Sequence, residues 1–142
     1  MTEEIHDSPE GWVNRHIREY VETDGAKGHH WHGVSTLLLT TRGRKTGKLR
    51  RSALIYGEDA GSYLVVASTG GGNHHPAWYL NLVANPEVEL QVGSEKMRAK
   101  ARTAGDGEKP RLWELMAEIF PDYDKYQKRT ERVIPVVILD PL

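Results

Sequence analysis

Six short segments with the pattern of β-strands follow one another along this chain, and turn residues separate them. Two of them alternate apolar with polar residues, and the other four contain a short apolar run. The six are VSTLLLTT, RRSALIYGE, SYLVVAST, EVELQVG, EKMRAKART and VIPVVILDP. In a flat sheet they would leave edges open and faces uncovered. The sequence therefore predicts a small closed or split β-barrel of about six mostly antiparallel strands.

Helical patterns stand at the start, middle and end of the chain. Apolar residues recur at helical spacing over residues 9–23, where Ser8 is the predicted N-cap and Pro9 the first helical residue. The fold class is therefore mainly β with helices (α+β). The other predicted helices cover residues 76–84 and 108–120, and residues 120–130 are either irregular or a short turn of helix.

Length and composition favour one domain spanning residues 1–142, with residues 1–33 as an N-terminal helix and loop and residues 34–142 as the barrel core. The chain has no cysteine, which excludes disulfides, thiolate metal sites and a cysteine nucleophile. The N-terminus is polar and acidic, unlike a signal peptide, and no apolar run approaches the roughly 18 residues of a membrane-spanning helix. The predicted location is the cytoplasm.

A cluster of positive charge at residues 42–51, called the basic segment below, is the clearest functional feature. It holds six of the 19 Lys and Arg residues and no acid, although the whole chain has 20 Asp and Glu residues. It forms a turn between two predicted strands, with Arg44 and Lys45 on one edge and Lys48 and Arg50 on the other. Such groups bind phosphate or carboxylate oxygens. We predict an anion site here, and a solvated turn is the alternative.

Nucleic acid is a weaker candidate for that anion. The chain has a formal net charge of −1, whereas general nucleic-acid binders usually present a basic face. No aromatic residue on which a base could stack lies between Val34 and Ile55. We therefore expect no nucleic-acid partner.

A second feature is the stretch STGGGNHHP at residues 68–76, called the glycine loop below. Three consecutive glycines leave backbone N–H groups free for a ligand, and the loop leads into a helix N-terminus at Pro76. The Gly-Lys-Ser/Thr ending of a phosphate-binding P-loop is missing. The preceding strands would bring this loop and the basic segment to one rim of the barrel. A merely flexible loop is the alternative.

Five histidines form two clusters, but neither cysteine nor HExxH-type spacing accompanies them. We predict surface histidines and no metal site. They are His29, His30, His32, His74 and His75.

Tyr123 and Tyr126 lie three residues apart, and therefore on one side of a helix if this segment is helical. A tyrosine hydroxyl can donate a hydrogen bond to a substrate carbonyl or supply a proton. Ordinary packing of two amphipathic aromatic side chains is the alternative.

Three longer stretches carry a family resemblance: LLLTTRGRKTGKLRRSALIY, VVASTGGGNHHPAWYLNLVANPEVEL and FPDYDKYQKRTERVIPVVIL. They contain a T-x-G-R-K-S/T-G-x-x-R turn, an A-S-x-G-G loop and a P-x-W-Y-x-N-L helix. Together they resemble the deazaflavin-dependent nitroreductase family, which uses coenzyme F-420, an 8-hydroxy-5-deazaflavin. The resemblance covers residues 37–141. It implies a split β-barrel of the FMN-binding type and an oxidoreductase that transfers hydride.

The resemblance also implies which residues bind the coenzyme, whose phosphodiester, lactyl carboxylate and glutamate tail make it more anionic than FMN. Arg44, Lys45 and Arg50 are implied to hold that arm. The full implied set is Arg44, Lys45, Thr46, Arg50, Ala67, Ser68, Thr69, Gly70, Gly71, Pro76, Ala77 and Trp78. Thr69 stands where a lysine is common in the family, which removes one positive charge near the cofactor.

The implied acceptor is an electron-poor alkene such as an unsaturated lactone, a quinone or a nitroaromatic. Tyr123, with Tyr126 or water, is the implied proton donor, and Ser68 orients the acceptor carbonyl. Phe120 replaces a tyrosine of the nitroimidazole-reducing member, so activation of nitro prodrugs is not implied.

Two other functions stay open at this stage. The same barrel can bind FMN or haem, and the chain could be a non-catalytic carrier of the deazaflavin. The expected partner is a small-molecule substrate, and the expected assembly is a monomer or homodimer. We expect no membrane insertion, with peripheral contact through the N-terminal helix left open.

Overall fold

The computed structural model describes residues 4–7 and 11–142, and a mostly antiparallel sheet dominates this part of the chain. Its strands follow the hydrogen-bonded order β1-β4-β3-β7-β8-β9-β6-β5, with β2 paired to β3 outside that path. β1 runs parallel to β4, and β4 also approaches β6, which curls the sheet into a split barrel. The strands are β1 Ile5–Asp7, β2 His30–Trp31, β3 Val34–Arg42, β4 Leu49–Ile55, β5 Gly57–Asp59, β6 Ser62–Val66, β7 Glu87–Val92, β8 Glu95–Thr103 and β9 Val136–Pro141.

Helices fill the connections between these strands. The segment predicted as irregular or a short turn of helix is α4, with Asp122 in its first turn and Lys128 in its last, as the helix dipole favours. Ser8 and Pro9, the predicted start of the first helix, lie outside the described residues. No helix in the described ranges is long and apolar enough to cross a membrane. The helices are α1 Gly11–Glu22, α2 Ala77–Ala84, α3 Lys109–Ile119 and α4 Asp122–Lys128, with a 3-10 turn at Thr69–Gly71.

The predicted fold class, a split barrel of the α+β class, is confirmed, and all six predicted strands are present. The estimate of about six strands is low because β1, β2 and β5 have only two or three residues each. Segments that short carry no periodicity that a sequence could reveal. The division of the domain at residue 33 stays a prediction.

Strand alternation sorts the apolar residues into separate layers. On β6, Val65 packs inside the barrel, whereas Leu64 and Val66 pack under α3 and α4. On the other side of the sheet, Leu38 of β3 packs against Ile17 of α1. The barrel wall is therefore apolar on both faces where helices cover it. This apolar packing holds the helices in place against the sheet.

Helix α1 is anchored to the β7–β8 hairpin at its C-terminal end. The hydroxyl of the buried Tyr20 accepts a hydrogen bond from the Gly93 amide at 2.6 Å and donates to the Thr36 carbonyl at 3.0 Å. Gly25 follows with φ of 84°, and a Cβ at this position would lie 2.5 Å from the Gly93 Cα. Only glycine permits this contact between the two backbones.

Gly25→Ala should therefore be more destabilising than Gly61→Ala. Gly61 has nearly the same φ, 85°, but open space around its missing Cβ. Both variants carry the cost of the left-handed conformation, and only Gly25→Ala forces a backbone shift, worth about 1–3 kcal/mol more. Urea unfolding of both variants measures the difference, and equal losses would contradict the close contact.

Candidate functional site

Two clefts open side by side and meet at Trp78, which lines both of them. The basic cleft, about 370 Å³, lies between the basic segment, β1 and the start of α2. The apolar cleft, about 360 Å³, lies between α1, β4, the glycine loop and α4. The basic segment and the glycine loop therefore flank a single residue of α2, which confirms the predicted shared rim.

Four of the six cations of the basic segment line the basic cleft, namely Arg44, Lys45, Arg50 and Arg51. Arg51 is already paired: its Nε and a terminal nitrogen donate to the two carboxylate oxygens of Asp7 at 2.6 and 3.1 Å. Within the described residues, no carboxylate pairs with the other three. The cleft thus presents three positive charges that an anionic ligand could neutralise.

The basic segment is tied to helix α2 by one buried amide. The side-chain oxygen of Asn81, which is 4% exposed, accepts from the Arg44 backbone N–H at 3.1 Å and from its guanidinium at 3.2 Å. Its side-chain NH₂ donates to the Thr41 hydroxyl at 3.3 Å. Asn81 therefore fixes the direction of Arg44. Predicted binding residues Thr46 and Ala77 also line this cleft.

The apolar cleft is walled mostly by aromatic and aliphatic side chains. Leu54 and Ile55 of β4 form its floor, while Trp12 and Trp31 stack at 5.9 Å on the side of α1. Three of the predicted residues, Ser68, Thr69 and Gly70, line it on the glycine-loop side, and Pro76, Tyr123 and Tyr126 line it as well. A flat, largely apolar molecule fits such a slot.

The glycine loop is more tightly bonded than its sequence suggests. The amides of Gly71 and Gly72 donate to the carbonyls of Ser68 and Thr69 at 2.9 and 3.2 Å, so the expectation that they are free for a ligand is wrong. The amides of Thr69 and Gly70 precede the first bond of this 3-10 turn, and neither donates to an acceptor within the described part of the chain. Thr69 adopts φ of 46°, a conformation that is unusual for a β-branched residue and that recurs at functional sites.

Tyr123 and Tyr126 both reach the apolar cleft from one side of α4, as their spacing predicted. Tyr123 is 5% exposed, and its burial, with a smaller contribution from Tyr126, raises the pKa of its phenol well above 10. Its hydroxyl therefore stays protonated at neutral pH and is available as a hydrogen-bond donor.

Two predicted cofactor residues do not line either cleft. Ala67 is fully buried, and its amide donates to the Pro135 carbonyl at 3.0 Å. Gly71 faces α4, where an added Cβ would lie 2.8 Å from the carbonyl oxygen of Tyr126. Both positions shape the glycine loop, and their direct contact with a ligand stays a prediction.

Sequence reasoning missed several residues of the site. Trp12, Trp31 and His16 line the apolar cleft, and burial lowers the pKa of His16. Trp12 and His16 share a helix face, but their meeting with Trp31 and the glycine loop is a long-range contact that no local pattern reveals. Among the described residues, no group of three or more metal-ligating side chains is close enough to hold a metal ion.

Comparisons with known proteins agree with this geometry. The family model described as F420H(2)-dependent quinone reductase matches residues 12–141. An F420H(2)-dependent quinone reductase of Mycobacterium tuberculosis strain H37Rv is 40% identical over 141 residues, covering 90% of this chain and 95% of that protein. A second protein of that strain, a putative F420H(2)-dependent quinone reductase, is 43% identical over 108 residues, covering 76% of this chain and 91% of that protein.

Solved structures give the same assignment. The structure of an F420-H2 dependent reductase, FDR-A, is 42% identical with a TM-score of 0.69, covering 74% of this chain and 93% of that one. A structure described as a domain-swapped dimer is 38% identical with a TM-score of 0.72, covering 94% and 100%. The haem storage protein HutZ of Vibrio cholerae, at 18% identity and a TM-score of 0.59, shares the fold alone.

The fold places the chain among the split-barrel proteins, and the family assignment supplies its activity. The chain belongs to the F420H(2)-dependent quinone reductase family, and it is an oxidoreductase whose cofactor is the reduced deazaflavin coenzyme.

Asn81→Ala should lower the free energy of unfolding by about 1–3 kcal/mol, because Arg44 and Thr41 lose a shared, buried partner. Val83→Ala on the same helix is the matched control, since Val83 is exposed and should change stability by less than about 0.5 kcal/mol. Denaturant unfolding measures both variants. Equal, small changes would mean that Asn81 does not anchor the basic segment.

Proposed function

We propose that this enzyme reduces an electron-poor acceptor in the apolar cleft, with a quinone as the first candidate and unsaturated lactones or nitroaromatics as the wider class. The observation that carries the proposal is the junction at Trp78, where the apolar cleft adjoins a cleft with three cations that no carboxylate in residues 4–7 and 11–142 neutralises. A ligand that joins a planar ring to a polyanionic arm matches both halves at once. The membership of the chain in its family supports the same choice.

The described residues fit the deazaflavin coenzyme in shape and in charge. Arg44, Lys45 and Arg50 would hold the anionic arm, with Thr46 and Ala77 beside them, because no carboxylate in the described ranges competes for these cations. Asn81 keeps Arg44 directed at the cleft. FMN carries a single phosphate, and would leave more of this positive charge unmatched.

The ring would lie in the apolar cleft between the glycine loop and Trp78. The available amides of Thr69 and Gly70 can donate to its polar edge or to the first phosphate, and Pro76 and Trp78 bound the other side. When bound, the reduced coenzyme supplies a hydride, and the chain supplies position and charge stabilisation.

On the acceptor side, we propose that Tyr123 donates a hydrogen bond to the oxygen that becomes negative as hydride arrives. Its raised pKa makes it a neutral donor rather than a strong acid, so Tyr126 or water completes the protonation. Ser68 lines the same cleft and can orient the carbonyl of the acceptor. Trp12 and Trp31 offer a flat apolar wall against which a quinone ring can stack.

For assembly, a monomer or a homodimer is compatible with the proposal. The related structure described as a domain-swapped dimer supports the second of these. The predicted cytoplasmic location stays a prediction.

The first test is a binding titration with the oxidised deazaflavin coenzyme, FMN and haem. Wild-type protein should prefer the deazaflavin, and Lys45→Ala and Arg50→Ala should each weaken its binding on the order of tenfold at low salt, with a smaller loss at about 0.5 M salt. Lys48→Ala is the matched control, because Lys48 belongs to the same turn but does not line the basic cleft. Tight FMN or haem binding without deazaflavin binding would refute the proposed cofactor.

The second test concerns Tyr123. Tyr123→Phe should reduce quinone turnover roughly 10²-fold, because the developing oxyanion loses its donor, while coenzyme affinity stays nearly constant. Because burial raises the pKa of Tyr123, the wild-type rate should not fall through ionisation of this group between pH 7 and about 10. Steady-state kinetics with a water-soluble quinone measure both effects.

Tyr63→Phe is the control for the loss of a phenol, since Tyr63 lines neither cleft. A Tyr123→Phe rate equal to that of the wild type would remove Tyr123 from the mechanism. Binding of the coenzyme with no turnover of quinones, lactones or nitroaromatics would indicate a carrier instead of an enzyme.

A further inference from the structure

Arg132, which precedes β9, makes an unusual number of contacts with the glycine loop. Its guanidinium donates to the carbonyls of Ser68 at 2.7 Å, Gly72 at 2.8 Å and Ala67 at 3.2 Å. It also donates to the Thr69 hydroxyl at 3.1 Å. One side chain thus bonds to both ends of the loop, in addition to the hydrogen bonds that the loop makes within itself.

The same guanidinium reaches the last histidine of the loop. An arginine can only donate, so the Nδ1 of His75, 3.2 Å away, must be the acceptor, and the ring is the neutral Nε2–H tautomer. Burial and the charge of Arg132 both lower the pKa of His75, which keeps the ring neutral.

Arg132 is a partly buried cation without a carboxylate partner in the described ranges, where its contacts are neutral acceptors. Other arginines at the edges of the fold are paired, such as Arg111 with Asp59 at 2.8 Å. The positive charge of Arg132 is therefore left to act on the glycine loop and on whatever the loop binds.

The contacts also set the direction of the loop amides. In a trans peptide the C=O and the following N–H point to opposite sides of the plane. Because the carbonyls of Ala67 and Ser68 are turned toward Arg132, the amides of Ser68 and Thr69 are turned away from it. Ser68 and Thr69 line the apolar cleft, whereas Arg132 does not.

We propose that Arg132 is the positioning residue of the glycine loop and the source of its positive charge toward an anionic group of the bound cofactor. It acts through the loop peptides, so it needs no direct contact with the ligand. The inference rests on the proposed placement of the deazaflavin. The anionic group is either the phosphodiester of the arm or the negatively charged edge of the reduced ring, which share this chemistry.

The test compares Arg132→Gln, which removes the charge, with Arg132→Lys, which keeps it, in the full chain. Arg132→Gln should raise the Kd for the coenzyme about tenfold at low salt, and Arg132→Lys by less than about threefold. Arg111→Gln controls for the loss of any arginine. Thermal unfolding of all variants shows whether Arg132 only stabilises the fold. Equal weakening of coenzyme binding by the Gln and Lys variants, or no weakening by either, would overturn the proposal.

A phosphate-free deazaflavin chromophore, titrated in its oxidised and reduced forms, identifies the anion. If Arg132→Gln loses affinity for the intact coenzyme but not for the chromophore, the charge effect belongs to the phosphodiester. Loss for the reduced chromophore as well assigns it to the ring, and both results support the proposal.

Inorganic phosphate separates this inference from the proposed function. In wild-type protein and Arg132→Lys, phosphate should shift the NMR amide signals of Ser68 and Thr69, and in Arg132→Gln the same shift should need about tenfold more phosphate. That result upholds the role of Arg132 even if the wild-type chain binds no deazaflavin. Absence of the shift in the wild type, or equal shifts in all three proteins, would overturn it.

Discussion

Helix α2 holds the two halves of the site together, because Trp78 and Asn81 lie three residues apart on one of its faces. Trp78 separates the apolar cleft from the basic cleft, and Asn81 holds the backbone of Arg44 one helical turn further on. This helix of only eight residues thus fixes the distance between the apolar cleft and the basic cleft. The barrel strands set where each loop begins, and α2 sets how the loops face each other.

The basic cleft combines cations that lack a carboxylate partner in the described residues with one ion pair. Arg44, Lys45 and Arg50, which pair with no carboxylate of the described residues, repel each other across one concave surface, and binding of an anion would relieve this repulsion. Asp7 neutralises Arg51 at the edge of the same cleft, which limits that repulsion and leaves Arg44, Lys45 and Arg50 facing the cleft. The short parallel strand β1 therefore contributes a carboxylate to the cleft as well as a strand to the sheet.

Much of this arrangement could be predicted from the sequence, since local patterns carry it. The strand alternation, the turn at the basic segment and the i, i+3 spacing of Tyr123 and Tyr126 all describe neighbours along the chain. The contacts of Arg132 and of Asp7 join residues more than 40 positions apart, and no local pattern predicts them. The prediction that the glycine amides are free for a ligand was wrong for a related reason. Whether an N–H is free depends on the turn that the loop adopts, and three consecutive glycines allow many different turns.

The anchoring of α1 on the β7–β8 hairpin has a consequence for redesign of the apolar cleft. The helix carries Trp12 and His16 at the cleft, whereas its fixed end depends on Tyr20, Gly25 and Gly93. The first turns of α1 can therefore be exchanged to remodel the cleft, provided that Tyr20, Gly25 and Gly93 stay unchanged and keep the helix in place.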